Sequence, residues 1–171
     1  IHPRDNDLVV ATHGRGLYVT DITALQEINE MLLQKDIHLF KVEPTIRWEY
    51  AYRGWSFGDR QYRIPNEPNG LAINYYLKNG TEEKTRIVIT DPFGEQMAVL
   101  KAETKPGINR VIWDMRRSFT PEEEKQMQQG RRRMRAPFVD TGDYVVILEV
   151  GEQKFTQRAL IRPMPEIDIR Y

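Results

Sequence analysis

Six aromatic residues stand between Trp48 and Tyr62, interleaved with arginines. Trp and Tyr faces stack on sugar rings, and arginine or glutamate beside them can bond the hydroxyls. Trp48, Tyr50, Tyr52, Arg53 and Trp55 are therefore the candidate ligand-binding residues, with Arg47, Glu49 and Arg60 as further polar groups. The competing role is packing between two flanking modules. It is favoured, because aromatics dominate core and interface burial. Gly14-Arg15-Gly16 raises a second question, since glycines after an apolar run can cradle phosphate. A phosphate loop leads into a helix, whereas here Leu17-Tyr18-Val19-Thr20 reads as a strand, and no GK[ST] follows. The glycines read as a hairpin turn.

The remaining chemistry-bearing residues point to structure. Arg131-Arg132-Arg133-Met134-Arg135 follows Glu122-Glu123-Glu124, and acid before base along a helix suits its dipole. Asp5, Asn6 and Asp7 lack the rest of a calcium loop and read as a turn. His2, His13 and His38 have no metal-ligand spacing. Trp113-Asp114 reads as core plus a strand-end hydrogen bond, not as a catalytic acid. No catalytic residue, metal site or cofactor is expected.

Composition sets the outer bounds. The chain has 171 residues, enough for one domain of ordinary size with an appendage. Lys and Arg number 25 and so do Asp and Glu, so no overall field draws the chain to nucleic acid or an anionic membrane. The absence of cysteine excludes disulfides and thiol chemistry. No apolar run approaches the roughly 20 residues of a membrane helix. The chain opens on Ile1 without a signal-peptide pattern and reads as a piece of a longer protein.

The elements that must position these residues are mainly strands. Leu8 to Thr12 and Leu17 to Thr20 form a hairpin. Ile22, Leu25, Ile28, Met31 and Leu32 recur at helical spacing, in a stretch that has no strong C-cap and is open to breakage. Ile37 to Phe40 reads as a short strand. Lys41 to Gly70 carries six prolines and glycines and reads as an ordered irregular loop. Strands are then expected at Leu71–Leu77, Thr85–Thr90, Gln96–Ala102, Asn109–Met115, Tyr144–Val150 and Lys154–Arg162. Thr120-Pro121-Glu122-Glu123 is a capping box that starts a helix over about 120–130, with Gly130 as its stop. Short strands with a turn every eight to twelve residues read as an antiparallel β-sandwich of the Ig-like or fibronectin-like kind.

The order of these motifs resembles a known arrangement. His2-Pro3-Arg4-Asp5-Asn6-Asp7-Leu8-Val9-Val10-Ala11-Thr12-His13-Gly14-Arg15-Gly16 is similar to the end of a bacterial β-propeller family with BNR/sortilin-like repeats, described as glycosyl hydrolase-like. Asn66 to Lys78, Asp91 to Gly94 and Pro106 to Asp114 resemble the Ig-like domain that follows the propeller there, which is also similar to that of flagellar hook-capping proteins. The resemblance implies a propeller hairpin over 1–20, a helical and aromatic-rich linker over 21–70, and an Ig-like sandwich over 71–171 with a helical insertion. It further implies a non-catalytic module of a secreted protein, extracellular or in the cell envelope. Its partner would be the rest of the parent propeller or another protein chain, with no nucleic acid and no membrane insertion. The alternative is an accessory or glycan-binding part of a glycoside hydrolase-like enzyme.

Overall fold

A computed structural model describes residues 1, 6–14, 16–48, 68–129 and 135–165. The chain begins as a hairpin. β1 (Asp7–Ala11) and β2 (Leu17–Asp21) pair antiparallel, Val9 opposite Val19 and Val10 opposite Tyr18. Thr12 closes the turn twice: its N–H donates to the Gly16 carbonyl at 2.9 Å, and its hydroxyl accepts from the Gly16 N–H at 3.1 Å. A strand, not a helix, follows the glycines, as their sequence context requires.

The helical stretch after it is broken in two, α1 (Thr23–Gln26) and α2 (Glu30–Leu33). The break lies at Asn29, whose side chain accepts the Leu32 N–H at 2.9 Å and so caps a new N-terminus. Ala24 and Leu32 bury against Phe40, with Ile28 and Tyr76 beside them, in a small second core.

The chain then supplies one strand to each of two sheets, β3 (Ile37–Leu39) and β4 (Thr45–Ile46). β5 (Leu71–Leu77), β6 (Thr85–Thr90), β7 (Gln96–Lys101) and β8 (Gly107–Trp113) follow. After α3 (Pro121–Gln129), β9 (Gly142–Val150) and β10 (Gln153–Arg162) complete the set. The three-stranded sheet runs β3-β5-β8, and the five-stranded sheet runs β4-β10-β9-β6-β7. Every pairing is antiparallel except β4 on β10, where Thr45 lies beside Ile161 and Ile46 beside Arg162. The fold is mainly β.

Alternation along the strands makes the core. Leu71, Ile73, Tyr75 and Leu77 on β5 face Ile87 and Ile89 on β6 and Tyr144, Val146, Leu148 and Val150 on β9 across one apolar layer. Trp113 ends β8 fully buried, with its ring edge-on to Tyr144 at 5.7 Å and its indole N–H donating to the Arg116 carbonyl at 2.8 Å. The strand expected to reach Met115 stops at Trp113, because Met115 takes φ 59°, outside the extended region. Gly70 packs so close to the Trp113 carbonyl that a Cβ there would lie 2.5 Å from its oxygen, which only glycine avoids.

The connections follow their side chains. Asp91 accepts the N–H groups of Phe93 at 2.9 Å and Glu95 at 2.7 Å, turning β6 into β7. Buried Asn109 donates to the carbonyls of Lys105 and Gly107, holding the turn into β8. On the outer face, Glu149 sits between Lys154 at 2.9 Å and Arg86 at 2.5 Å, cations that hold its carboxyl below the usual range. Among the described residues, no helix is long and apolar enough to cross a membrane.

Candidate functional site

Two features stand out on the surface: a bare hairpin and a pair of clefts that share Trp48. The hairpin belongs to no larger sheet among the described residues. Bonds pair Thr12 with Gly16 and Asn6 with Ile22. By antiparallel alternation, Val10–Tyr18 and Leu8–Thr20 bond inward, while Asp7, Val9, Ala11, Leu17, Val19 and Asp21 turn their backbone groups to the outer edges. The same six residues share one face. Val9, Leu17 and Val19 there are 51%, 64% and 59% exposed, and Tyr18 on the opposite face is 64% exposed. At its root the hairpin is pinned: Asp21 takes Arg110 at 2.5 Å and the Thr23 N–H at 2.8 Å.

The first cleft, about 490 Å³, lies where that root meets the strap from Lys41 to Trp48 and the start of β5. Asn6, Asp7, Asn69 and Asn74 line it, with Trp48 beside them. Arg110 crosses the sheet to Asn74, donating through Nε to its side-chain oxygen at 2.9 Å. Lys41 and Glu43 pair at 2.9 Å on the strap, and the carboxylate raises the ammonium pKa.

The second cleft, about 970 Å³, is bounded by Trp48, Phe119, Phe138, Arg116, Arg117 and Arg135. Its arginines are largely engaged. Arg116 lies over the Phe138 ring at 3.7 Å and donates to the Ala136 carbonyl. Arg117 forks onto Glu123 at 2.6 and 2.7 Å, which together with the Thr120 N–H holds the Glu123 carboxyl at a pKa of about 2. Arg135, the described member of the arginine run, is exposed.

Of the candidate ligand residues, Trp48 is 37% exposed and lines both clefts. Tyr50, Tyr52, Arg53 and Trp55 lie outside the described residues. Arg47, half-buried, donates to the Val139 carbonyl at 2.8 Å. His38 is partly buried, edge-on to Phe40, with Nε2 3.7 Å from Glu27. No group of three or more His, Asp or Glu that could hold a metal ion occurs among the described residues. Sequence reasoning read Asn6 as part of a turn and missed Asn69 and Asn74. Asn74 sits on the expected outer face of β5 yet is only 6% exposed. A polar residue amid an otherwise apolar strand, Ile73-Asn74-Tyr75, was the signal for it. Compared with known proteins, the chain matches no family model and no curated sequence.

Proposed function

We propose that the chain is a non-catalytic docking module. Its hairpin completes a β-sheet supplied by the rest of a parent propeller or by another chain, and the strands from Ile37 to Arg162 form an Ig-like sandwich beside it. The observation that carries the reading is the hairpin itself, with Val9, Leu17, Tyr18 and Val19 all more than half exposed and both outer edges unpaired among the described residues. A lone two-stranded hairpin is marginal in water, and exposed apolar edges are templates for further strands. Its alternation leaves apolar side chains on both faces, as a strand covered on both sides requires.

The Ig-like reading is supported by connectivity. The chain gives β3 to one sheet and then β4, in parallel, to the last strand of the other. Tyr144, near the start of β9, donates its hydroxyl to the Asp140 carbonyl at 2.8 Å, four residues upstream. That bond is similar to the tyrosine corner of such domains.

Hydrogen exchange tests the docking. In the chain alone, the amides of Val9, Ala11, Leu17 and Val19 exchange quickly. Joined to the parental sequence upstream, they become protected. Equal exchange in the two forms would refute docking on the parental propeller.

A further inference from the structure

We infer that the cleft at the hairpin root binds a neutral pyranose unit of an oligosaccharide. The first ground is a donor that no described residue takes. Asn74 is 94% buried by its 6% exposure, and Arg110 fixes its side-chain oxygen as acceptor, so its amide nitrogen is the group that remains. That nitrogen donates to no described residue, while the residue forms part of the cleft wall. A donor that no protein group takes on a cleft wall is free for a water or for a ligand hydroxyl.

The second ground is the company it keeps. Asn6, Asp7 and Asn69 lie around the same space. Asn6 holds φ 54°, a left-handed conformation that asparagine tolerates better than most residues. An amide takes adjacent hydroxyls with its oxygen accepting and its nitrogen donating, and a carboxylate accepts from both. Trp48, partly exposed at the rim, offers an aromatic face for the C–H side of a sugar ring. The volume of about 490 Å³ falls within the range of roughly 300–1,000 Å³ of small-molecule sites.

The third ground is charge. Asp21 is neutralised by Arg110 at 2.5 Å and Glu43 by Lys41 at 2.9 Å. Asp7 has no cationic partner among the described residues, so those residues give the cleft about one net negative charge. An anionic ligand is repelled, and a neutral polyol is accepted.

The test is a titration of the isotope-labelled chain with maltotriose, cellotriose and triacetylchitotriose in turn, to the low millimolar range, with sialyllactose as the anionic comparator. At least one neutral trisaccharide should shift the side-chain amides of Asn69 and Asn74 saturably. Trp48→Ala and the near-isosteric Asp7→Asn should each weaken that binding by roughly tenfold, with thermal midpoints unchanged. The site is refuted if none of the neutral sugars shifts those amides, if binding survives both substitutions, or if sialyllactose binds as well as they do.

Discussion

Two buried side chains on neighbouring strands of the three-stranded sheet show what single residues contribute. Tyr75 is fully buried, yet its hydroxyl donates to the Glu103 carbonyl at 2.6 Å, beyond the end of β7. Tyr75→Phe keeps the ring and strands that carbonyl, so it should cost about 1–3 kcal/mol in chemical denaturation. Burial also pushes the phenol up to about 12 from 10.0. The folded state thus holds the proton more tightly than the unfolded one. The resulting stability is complete below pH 10.0 and is lost as pH rises through about 12. The wild type should therefore lose stability steeply over that alkaline window, and Tyr75→Phe less steeply. Trp113 is buried to the same degree and fills the space beside Tyr144. Trp113→Ala should cost roughly 3–5 kcal/mol, the usual range for deleting a core aromatic. A midpoint near wild type would remove Trp113 from the core.

At the scale of elements, α3 depends on its first turn. Thr120 accepts the Glu123 N–H at 3.3 Å, and Glu123 accepts the Thr120 N–H at 2.9 Å, the reciprocal box legible in Thr120-Pro121-Glu122-Glu123. Thr120→Ala should cost about 0.5–2 kcal/mol of helix stability, read as faster exchange at Glu124, whose N–H bonds the Thr120 carbonyl at 2.9 Å. Because Glu123 has its pKa depressed from 4.5 to about 2, the cap's contribution is present above 4.5 and fades as pH falls toward 2. Protection of the Glu124 amide, relative to its intrinsic rate, should fall over that acidic range in wild type and also in Thr120→Ala, where Glu123 keeps the Arg117 guanidinium and the backbone N–H of position 120. Elements of this local kind were readable in the chain: the capping box, the Asp91 turn, and the alternation of β5 and β9 all write their reasons within a few residues. β4 was not. Thr45 and Ile46 have no alternation of their own and become a strand only by lying beside Ile161 and Arg162, far along the sequence. Asn74 was overlooked for a related reason. Period-two patterning assigns it to the outer face, but Arg110 on β8 and the hairpin root beyond it cover that face. The first cleft is assembled from four separate stretches of chain, so spacing alone gave no sign of it; among its residues only Trp48 was a ligand candidate, while Asn6 and Asp7 read as a turn.

At the scale of the whole molecule, the two sheets bury their apolar faces on each other, while the hairpin buries almost nothing. β9 and β10 pair over nine positions and carry the core between them. Their amides should exchange last, with the global unfolding of the chain. The hairpin is tied to this body at its root by Asp21–Arg110 and by the Ile22 N–H to Asn6 carbonyl bond at 3.1 Å. Beyond the root, Val9, Ala11, Leu17 and Val19 form an aliphatic strip whose backbone edges are also open. An exposed strip of that kind recruits strands, from its own kind if nothing else is present. The isolated chain should therefore associate as its concentration rises, and sedimentation velocity will show it. Val19→Lys places a charge on the strip without touching either core. It should leave the denaturation midpoint within about 0.5 kcal/mol of wild type, as surface changes do, and should abolish the association. Thr156→Lys, exposed on the outer face of the far sheet, adds the same single charge and should leave association intact. If both substitutions act alike, the hairpin is not the surface that joins molecules, and its apolar face must serve within the chain itself.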